Sequence, residues 1–464
     1  MALPPGKPEV ISREMVRPST ATPDRHRIHH LSFFDQLFPS IYVPLLYFYL
    51  NHETRNSIAA DVVRDNKTRV LKLSLSEALS TYYPLAGRMG DDDPLTVHCN
   101  DEGALFLQAR TNSELHAALN HPDAGVRDEF RKLLFPDDLC YKSTSCSRPL
   151  AVQVTSFECG GIALGICVSH KFLDMFSFCS FISYWAAIAA ASSLGHSNIK
   201  LHPLEFTLAT LYPPFDLPPP VNKTVVKKPR KDVRYVVNRF VFGASSIAKL
   251  KAIVGIGRVE NPTRVELVLA LLCSCAISAA SSSKGRGVVL IQAVNLRRRM
   301  MSPPPPARSV GNLSSVFAMS IADDMVEDLA LFVSMLRRAK TGYFSSCAAE
   351  SVGINRFLDF IMKTVKEYRD ASKEEEAAAA KVYPCSSWCG FPLYEADFGW
   401  GKPVWVTAAD FDEATDMVLL DTRDGHGIEA VVSLEEHEMA ALLRDQKLLA
   451  FARINPVVDP VIIR

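Results

Sequence analysis

The stretch at residues 160–185, GGIALGICVSHKFLDMFSFCSFISYW, predicts a strand, a turn and a helix in direct succession. Its first ten residues are small or apolar, which indicates a buried strand. After the turn, apolar side chains recur at the three-and-four spacing of one helical face: Phe178, Phe181, Ile182 and Trp185. His170 and Asp174 therefore lie on the turn that joins the strand to the helix.

The turn residues His170 and Asp174 give the first indication of chemistry. A strand-to-helix turn on a rigid scaffold can hold an imidazole at the edge of a cavity, neutral near pH 7 and able to accept a proton. His170 is therefore a candidate general base. The same five residues also fit a structural interpretation, in which Asp174 caps the helix and His170 is a core histidine with satisfied hydrogen bonds.

Length, composition and charge narrow the classes of function. The chain has 464 residues, of which 48% are hydrophobic, so it can bury large cores and divide into two domains. Lys and Arg number 51, as do Asp and Glu, and this zero net charge argues against nucleic acid or anionic membrane as partners. The first residues lack an apolar leader, and the run 41–50 is too short to cross a bilayer. We expect a cytoplasmic protein with no membrane partner.

The 11 cysteines point to the same compartment. Their number is odd, and several stand in apolar stretches: Cys167, Cys179, Cys273 and Cys275. This distribution is typical of reduced thiols in a core and not of a disulfide framework. We therefore expect a reducing, intracellular environment.

A proline-rich and basic segment divides the chain. Pro218–Pro220 and the run Lys227–Lys231 have a composition that suits an extended crossover better than a packed element. We therefore predict an N-terminal domain over residues 1–203, a linker over residues 204–236 and a C-terminal domain over residues 237–464.

Both predicted domains mix helices with strands. Upstream of the linker, Leu71–Tyr82 has helical spacing and Thr96–Gln108 has strand-like residues. Downstream, Val237–Phe242 indicates a further strand. The predicted fold class is therefore α/β.

Two helices are predicted after this last strand. Ser245–Val254 has one apolar face, formed by Ile247, Leu250 and Ile253. Thr263 and Glu266 have the spacing of a capping box, which predicts the start of a second helix that runs through Ala279.

A second motif stands near the C-terminus, where residues 394–403 read YEADFGWGKP. The His-x-x-x-Asp spacing of His170 and Asp174, taken with the Asp-Phe-Gly-Trp-Gly of Asp397–Gly401, closely resembles the BAHD family of plant acyl-CoA-dependent acyltransferases. Five further segments match the family in order: Leu31–Gln36, Tyr83–Arg88, Asn295–Arg297, Gly311-Asn312 and Gly427–Ala430. The resemblance covers almost the whole chain.

Within this family, Ile41–Pro44 and Ser387–Cys389 look most like the group that includes vinorine synthase and other alkaloid, terpenoid and alcohol acetyltransferases. The resemblance implies two domains similar to chloramphenicol acetyltransferase, joined by a long crossover, with a solvent channel between them. Acyl-CoA would enter from one face and the small-molecule acceptor from the other, and the two would meet at His170. Such a ternary complex needs no covalent enzyme intermediate.

The resemblance also implies roles for individual residues. His170 would be the general base, and the Trp388 indole N–H and the Ser386 hydroxyl would stabilise the oxyanion. A buried core indole is the alternative interpretation of Trp388. Asp174 would pair with Arg297 and fix the His170 loop. Structural support is also expected from the second motif, through Asp397, Gly399, Trp400 and Gly401.

The same resemblance implies which residues contact CoA and the acceptor. Lys251, Arg298 and Ser387 match the CoA side, although a lysine on a helix is as often simply solvated. The acceptor pocket would be lined by Phe34, Leu37, Met175 and Phe391. Met175 is bulky where the family usually has a small residue. Gly390 stands where many members carry arginine, which argues against shikimate-like acceptors and favours a neutral, fairly hydrophobic one.

The expected activity is O-acylation, with acetyl-CoA as co-substrate and a hydroxyl of an alkaloid, terpenoid or related plant metabolite as acceptor. We expect a monomer with no permanently bound cofactor and no metal. Three alternatives stay open: an aroyl or hydroxycinnamoyl donor, an amine acceptor that gives an amide, and a non-catalytic binding homologue whose site Met175 has spoiled. The sequence lacks a Gly-x-Ser-x-Gly elbow, a glycine-rich phosphate loop after a strand and clustered zinc ligands.

Overall fold

A computed structural model of the chain describes residues 8–38, 40–51, 57–90, 93–119, 148–194, 204–214, 233–255, 259–280, 287–299, 305–350, 356, 359–363, 380–408 and 414–458. Within these residues the strands form three sheets, and helices pack against the two larger ones. The predicted α/β class is confirmed.

The first sheet is made of β1 (Glu9–Val16), β3 (Tyr42–Tyr49), β6 (Ala104–Arg110), β7 (Leu150–Ser156), β8 (Ile162–Ser169) and β13 (Trp405–Ala408). Their order is β1-β6-β7-β8-β3-β13, and all neighbours are antiparallel except β6 and β7. Alternate residues of β8 face two different apolar clusters: Leu164 and Ile166 face one, Ala163 and Cys167 the other. Because both faces are covered, this strand is an unbroken run of small and apolar residues.

The second sheet is made of β9 (Tyr235–Phe242), β10 (Val288–Asn295), β11 (Ser314–Ile321), β12 (Lys381–Ser387), β14 (Asp416–Asp421), β15 (Ile428–Glu435) and β16 (Arg453–Ile454). The strand order is β11-β10-β12-β14-β15-β9-β16, with β12 parallel to both of its neighbours. A small third sheet joins β2 (Ile28–His30), β4 (Arg88–Met89) and β5 (Thr96–His98).

The helices of the described residues are α1 (Phe33–Leu37), α2 (Ser57–Thr81), α3 (Leu115–Leu119), α4 (Met175–Leu194), α5 (Leu208–Leu211), α6 (Ala244–Gly255), α7 (Arg264–Ala279), α8 (Asp323–Glu327), α9 (Leu329–Glu350), α10 (Glu436–Leu442) and α11 (Gln446–Leu449). At the start of α7, the Thr263 side chain accepts from the Glu266 N–H while the Glu266 side chain accepts from the Thr263 N–H. The predicted capping box is confirmed.

The structure changes two details of the predicted elements. Thr96–Gln108 is not one strand, because β5 ends at His98 and β6 begins at Ala104. On α6, Ile247 and Leu250 are buried as predicted, but Ile253 is 53% exposed and Val254 is buried instead. The prediction for Ile253 was wrong, because the face of α6 that packs on the core of the second sheet includes Val254 in place of Ile253.

The helix α4 is long and apolar enough over Met175–Ser193 to cross a bilayer by length and composition alone. Half of that stretch is buried inside the protein, and Phe178, Phe181 and Trp185 have no exposed surface. The Trp185 indole N–H donates to Ser74 Oγ of α2 at 3.0 Å. The helix therefore forms part of the core beside the first sheet.

The two halves of the chain are interleaved. The strand β13 lies late in the sequence yet pairs with β3, with Trp405 opposite Phe48. Conversely, Phe33 and Phe34 of α1 belong to the core of the second sheet. The predicted boundary at residues 204–236 stays a prediction, and residues 215–232 of that linker lie outside the described residues.

Candidate active site

The turn after β8 is fixed through the backbone of His170. The His170 N–H donates to the carbonyl of Ile41 at 2.8 Å. On the other side, Asn312 Nδ2 donates to the His170 carbonyl at 2.9 Å. The first bond comes from the segment before β3 and the second from the segment before β11, so both halves of the chain hold this one residue.

The imidazole of His170 is half-buried beneath an aromatic ring. Phe38 stacks on it with a centroid separation of 4.4 Å and an interplanar angle of 23°. The Nδ1 atom is enclosed and has no hydrogen-bond partner within the described part of the chain. Burial lowers the pKa of His170, against the opposing effects of its own backbone, the Asp174 carboxylate and the Asn312 amide. The ring is therefore neutral near pH 7 and can accept a proton.

Asp174 pairs with Arg297. Its two carboxylate oxygens lie 2.6 and 3.1 Å from the two terminal nitrogens of the guanidinium, and both side chains are buried. The N–H groups of Ser177 and Leu313 also donate to the carboxylate, each at 3.0 Å. Burial alone would raise the pKa of Asp174, but Arg297 and these N–H groups hold it below its usual value.

Arg297 makes further contacts that tie the start of α4 to the segment before β11. Its Nη2 atom donates to Ser177 Oγ at 3.0 Å and to the Gly311 carbonyl at 2.9 Å. Its guanidinium also lies over the Phe176 ring, 4.3 Å from the centroid. The ion pair and these contacts form one connected network beneath the His170 turn.

The sequence analysis did not assign Asp35 and Asn312 to the site. One Asp35 oxygen accepts from the Asn312 N–H at 2.8 Å and from Asn312 Nδ2 at 2.9 Å, and the other accepts from the Ser32 N–H and hydroxyl, both at 2.7 Å. Burial raises the pKa of Asp35 despite these four bonds. The Ser32 and Asp35 spacing of a helix cap was visible in the sequence, but the partner Asn312 was not.

The predicted oxyanion residues lie on the second sheet. Ser386 and Ser387 end β12 half-buried, opposite Val418 and Leu419 of β14. Trp388 follows, and its backbone N–H donates to the Leu419 carbonyl at 2.7 Å. The indole is 9% exposed and belongs to the apolar cluster of the first sheet, which fits the core interpretation of this residue as well. The oxyanion role of Ser386 and Trp388 stays a prediction.

The four residues predicted for the acceptor pocket differ in burial. Phe34 has no exposed surface and packs edge-on against Tyr212 with centroids 5.3 Å apart, so its ring belongs to the core of the second sheet. The acceptor-pocket role of these residues stays a prediction. Leu37, Met175 and Phe391 are half-buried, and the Met175 sulfur lies 3.6 Å from Cys179 Sγ.

The two basic residues predicted for CoA are accessible. Lys251 on α6 and Arg298 after β10 are both exposed, and neither makes an ion pair or hydrogen bond through its side chain in the described residues. Their role in CoA binding stays a prediction, as does that of Ser387.

The Asp397–Gly401 motif builds a tight turn against α4. Asp397 Oδ1 accepts from the N–H groups of Gly399 and Gly401 at 2.8 and 3.0 Å, and both glycines have a φ near +100° that side chains rarely adopt. The Trp400 ring stacks on Phe398. The turn meets α4 at Ala190 and Ser193. It therefore lies about 22 Å along the helix from Met175, which follows the His170 turn, counting 1.5 Å per residue.

Three possible metal ligands, Glu435, His437 and Glu438, approach one another within 4.8 Å. The Lys381 ammonium already lies 3.1 Å from Glu435 and 2.9 Å from Glu438. The Lys381 ammonium thus lies between the two carboxylates and neutralises one of their two negative charges.

Comparison with known proteins finds similarity along almost the whole chain. A family described as "Transferase family" matches residues 7–449. Akuammiline synthase 1 of Alstonia scholaris is 36% identical, over 96% of this chain and 97% of its own length. BAHD acyltransferase BIA1 of Arabidopsis thaliana is 35% identical, over 97% and 99%. A limonoid 7-O-acetyltransferase of Citrus sinensis is 34% identical, over the same shares.

Solved structures show the same fold. The crystal structure of vinorine synthase superposes with a TM-score of 0.76 at 28% identity, covering 98% of this chain and 100% of that one. The fold and the site thus define an acyltransferase. More specifically, the chain belongs to the BAHD family of acyltransferases, whose co-substrate is an acyl-CoA, and the predicted family and fold are confirmed.

Proposed function

We propose that this enzyme transfers an acetyl group from acetyl-CoA to a hydroxyl of an alkaloid, terpenoid or related plant metabolite, with His170 as general base. The observation that carries the proposal is the placement of His170, whose backbone is held on both sides and whose Nδ1 is enclosed, in a burial that lowers the pKa of the imidazole. A substrate can therefore approach only Nε2. We further propose that the enzyme is a cytoplasmic monomer.

The proposed reaction has two proton transfers. His170 Nε2 takes the proton of the acceptor hydroxyl while the oxygen attacks the thioester carbonyl and a C–O bond forms. The Trp388 indole N–H and the Ser386 hydroxyl stabilise the negative charge on the carbonyl oxygen. The C–S bond then breaks, and His170 returns the proton to the CoA sulfur. Asp174 takes no part in these transfers, because Arg297 holds its carboxylate.

The names of relatives support the acceptor class. Limonoid 7-O-acetyltransferase names an acetyl group and an oxygen acceptor, and akuammiline synthase 1 names an alkaloid product. The exposed Gly390, with open space where a Cβ would stand, offers no cation for a carboxylate and so favours a neutral acceptor. The limonoid 7-O-acetyltransferase favours an acetyl donor over an aromatic one.

A second candidate function is N-acylation with a malonyl donor. A 17,18-epoxy-17-hydroxycur-19-ene N-malonyltransferase of Strychnos nux-vomica is 34% identical over 96% of this chain. A neutral imidazole can serve an amine acceptor as well as a hydroxyl. The donor and acceptor panels below separate the two functions.

The test is acceptor-dependent release of free CoA thiol by the wild type, with His170→Ala as the inactive variant and His437→Ala, an exposed histidine, as the matched control. Acetyl-, malonyl-, benzoyl- and coumaroyl-CoA are each offered with alkaloid and terpenoid alcohols and with amines of matched skeleton. We expect release with acetyl-CoA and alcohols, abolished by His170→Ala alone. Preference for an aromatic donor or for the amines would replace the proposal. Binding of CoA without turnover on every pair would indicate a non-catalytic homologue.

A further inference from the structure

The ring of Phe38 covers one face of the His170 imidazole. The two rings are stacked 4.4 Å apart, and Phe38 is itself half-exposed. The face that Phe38 covers is closed to water and to substrate. The position of the Phe38 ring therefore determines which face of the His170 imidazole a substrate can reach.

The segment that carries Phe38 is held by the residue next to His170. The Lys171 ammonium donates to the carbonyls of Gln36 and Phe38, both at 3.2 Å. These carbonyls belong to the end of α1, where the helix leaves backbone acceptors without intrahelical partners. Burial lowers the pKa of Lys171, while the nearby Asp35 carboxylate raises it. Lys171 thus connects the end of α1 to the turn that carries His170.

The other end of α1 is equally fixed. Phe33 and Phe34 are buried in the second core, and Asp35 binds Asn312, which in turn binds the His170 carbonyl. The Phe38 N–H donates to the Asp35 carbonyl at 3.3 Å. Phe38 therefore stands at a defined place relative to His170.

We propose that Phe38 is a positioning residue for acyl transfer: its ring sets the plane of the His170 imidazole and excludes water from it, and Lys171 holds Phe38 in place. The proposal rests on the proposed role of His170 as general base. A planar ring at stacking distance restricts rotation of the imidazole about its own side-chain bonds. Nε2 is then aimed at the substrate before the substrate arrives, which lowers the barrier through orientation.

A pH effect follows from the same contact. The groups that raise the pKa of His170 against its burial are its own backbone, the Asp174 carboxylate, which pairs with Arg297, and the Asn312 amide. The Lys171 ammonium is directed at the carbonyls of Gln36 and Phe38, with the Asp35 carboxylate near it. Burial is the largest influence on the His170 pKa, and Phe38 contributes to that burial. Removal of the Phe38 ring should raise the pKa of His170 toward the ordinary value of 6.5. At about pH 6 an imidazole with the ordinary pKa is only about one-quarter neutral.

The experiment compares Phe38→Ala, Phe38→Tyr, Lys171→Met and Lys171→Arg in the full-length enzyme. Lys72→Met, which removes an ammonium that pairs with Glu14 of β1 and makes no contact with α1 or the His170 turn among the described residues, is the matched control. The readouts are kcat and KM at about pH 6 and about pH 8, and the titration of His170 by NMR with isotope-labelled histidine. The His170 resonance is identified by its loss in His170→Ala.

For Phe38→Ala we expect kcat to fall with little change in KM. The ratio of activity at about pH 6 to activity at about pH 8 should be up to about fourfold lower in this variant than in the wild type. The His170 titration should move upward in parallel. Phe38→Tyr should keep kcat, the pH ratio and the His170 titration close to those of the wild type. Lys171→Met should show the same changes as Phe38→Ala, but smaller. Lys171→Arg, which keeps the positive charge, should resemble the wild type. Lys72→Met should resemble the wild type.

An unchanged pH ratio and an unchanged His170 titration in Phe38→Ala would overturn this inference, even if kcat fell. That result leaves the proposed function intact as long as His170→Ala is inactive. Activity that survives in His170→Ala would instead refute the proposed function, whatever the Phe38 variants do.

Discussion

Asp174 and Arg297 lie 123 residues apart in sequence and form a buried, bidentate ion pair with distances of 2.6 and 3.1 Å. The carboxylate belongs to the turn after β8 and the guanidinium to the segment after β10, so the pair joins the two larger sheets directly behind His170. It fixes the turn without contacting the reacting atoms.

Asp174→Ala should lower the free energy of unfolding by about 3–5 kcal/mol, because it leaves the Arg297 guanidinium buried without its carboxylate. Urea denaturation of the variant and of the wild type measures this loss. In Asp174→Ala combined with Arg297→Ala the total loss should be smaller than the sum of the two single losses. Simple additivity would contradict the direct coupling of the pair.

The contribution of Asp174 to stability should depend on pH. Pairing places the folded-state pKa of this carboxyl below its ordinary value of 3.8. A lowered pKa stabilises the folded state fully above the ordinary value, and the stabilisation is lost as pH falls through the folded-state pKa. The difference in unfolding free energy between wild type and Asp174→Asn should thus be constant near neutral pH and shrink below about pH 4. A difference that did not change with acidification would argue against an ionised Asp174.

Asp35→Ala should reduce kcat while KM for acyl-CoA changes little. The substitution leaves two donors of Asn312 without their buried acceptor, and Asn312 is the residue that holds the His170 carbonyl. The loss of stability should be about 1–3 kcal/mol. Steady-state kinetics and urea denaturation measure the two effects, and a rise in KM with unchanged kcat would point to a substrate contact instead.

Gly399→Ala should destabilise the enzyme more than Gly401→Ala. Both residues have a φ near +100°, but a Cβ on Gly399 would stand 2.8 Å from Ser193 Oγ and 2.9 Å from Ser193 Cβ, whereas a Cβ on Gly401 meets nothing within 4 Å. The difference between the two variants isolates the steric clash from the backbone strain. Thermal unfolding measures it, and the folded fraction of each variant should keep its kcat. Loss of kcat in a well-folded Gly399→Ala would assign the motif a role beyond support.

The sequence predicted the local elements well, because periodicity and capping residues are local properties. The strand and helix on either side of His170 and the capping box at Thr263 needed only neighbouring residues. Ile253 was misplaced because the residues that pack on that helix come from other parts of the chain. The contact of Asn312 with Asp35 and His170 was invisible for the same reason, since it joins residues 142 or more positions apart.

The late strand β13 has a consequence for synthesis on the ribosome. The edge of β3 that it covers stays open until residue 408 of 464 has been translated and has emerged. Up to that time, the backbone groups of Leu45 to Phe48 on that edge have no partner strand and can pair with another nascent chain. A messenger RNA truncated before that point would give a chain whose first sheet has an unpaired edge at β3. Such truncated chains should aggregate and should not fold into a smaller functional domain.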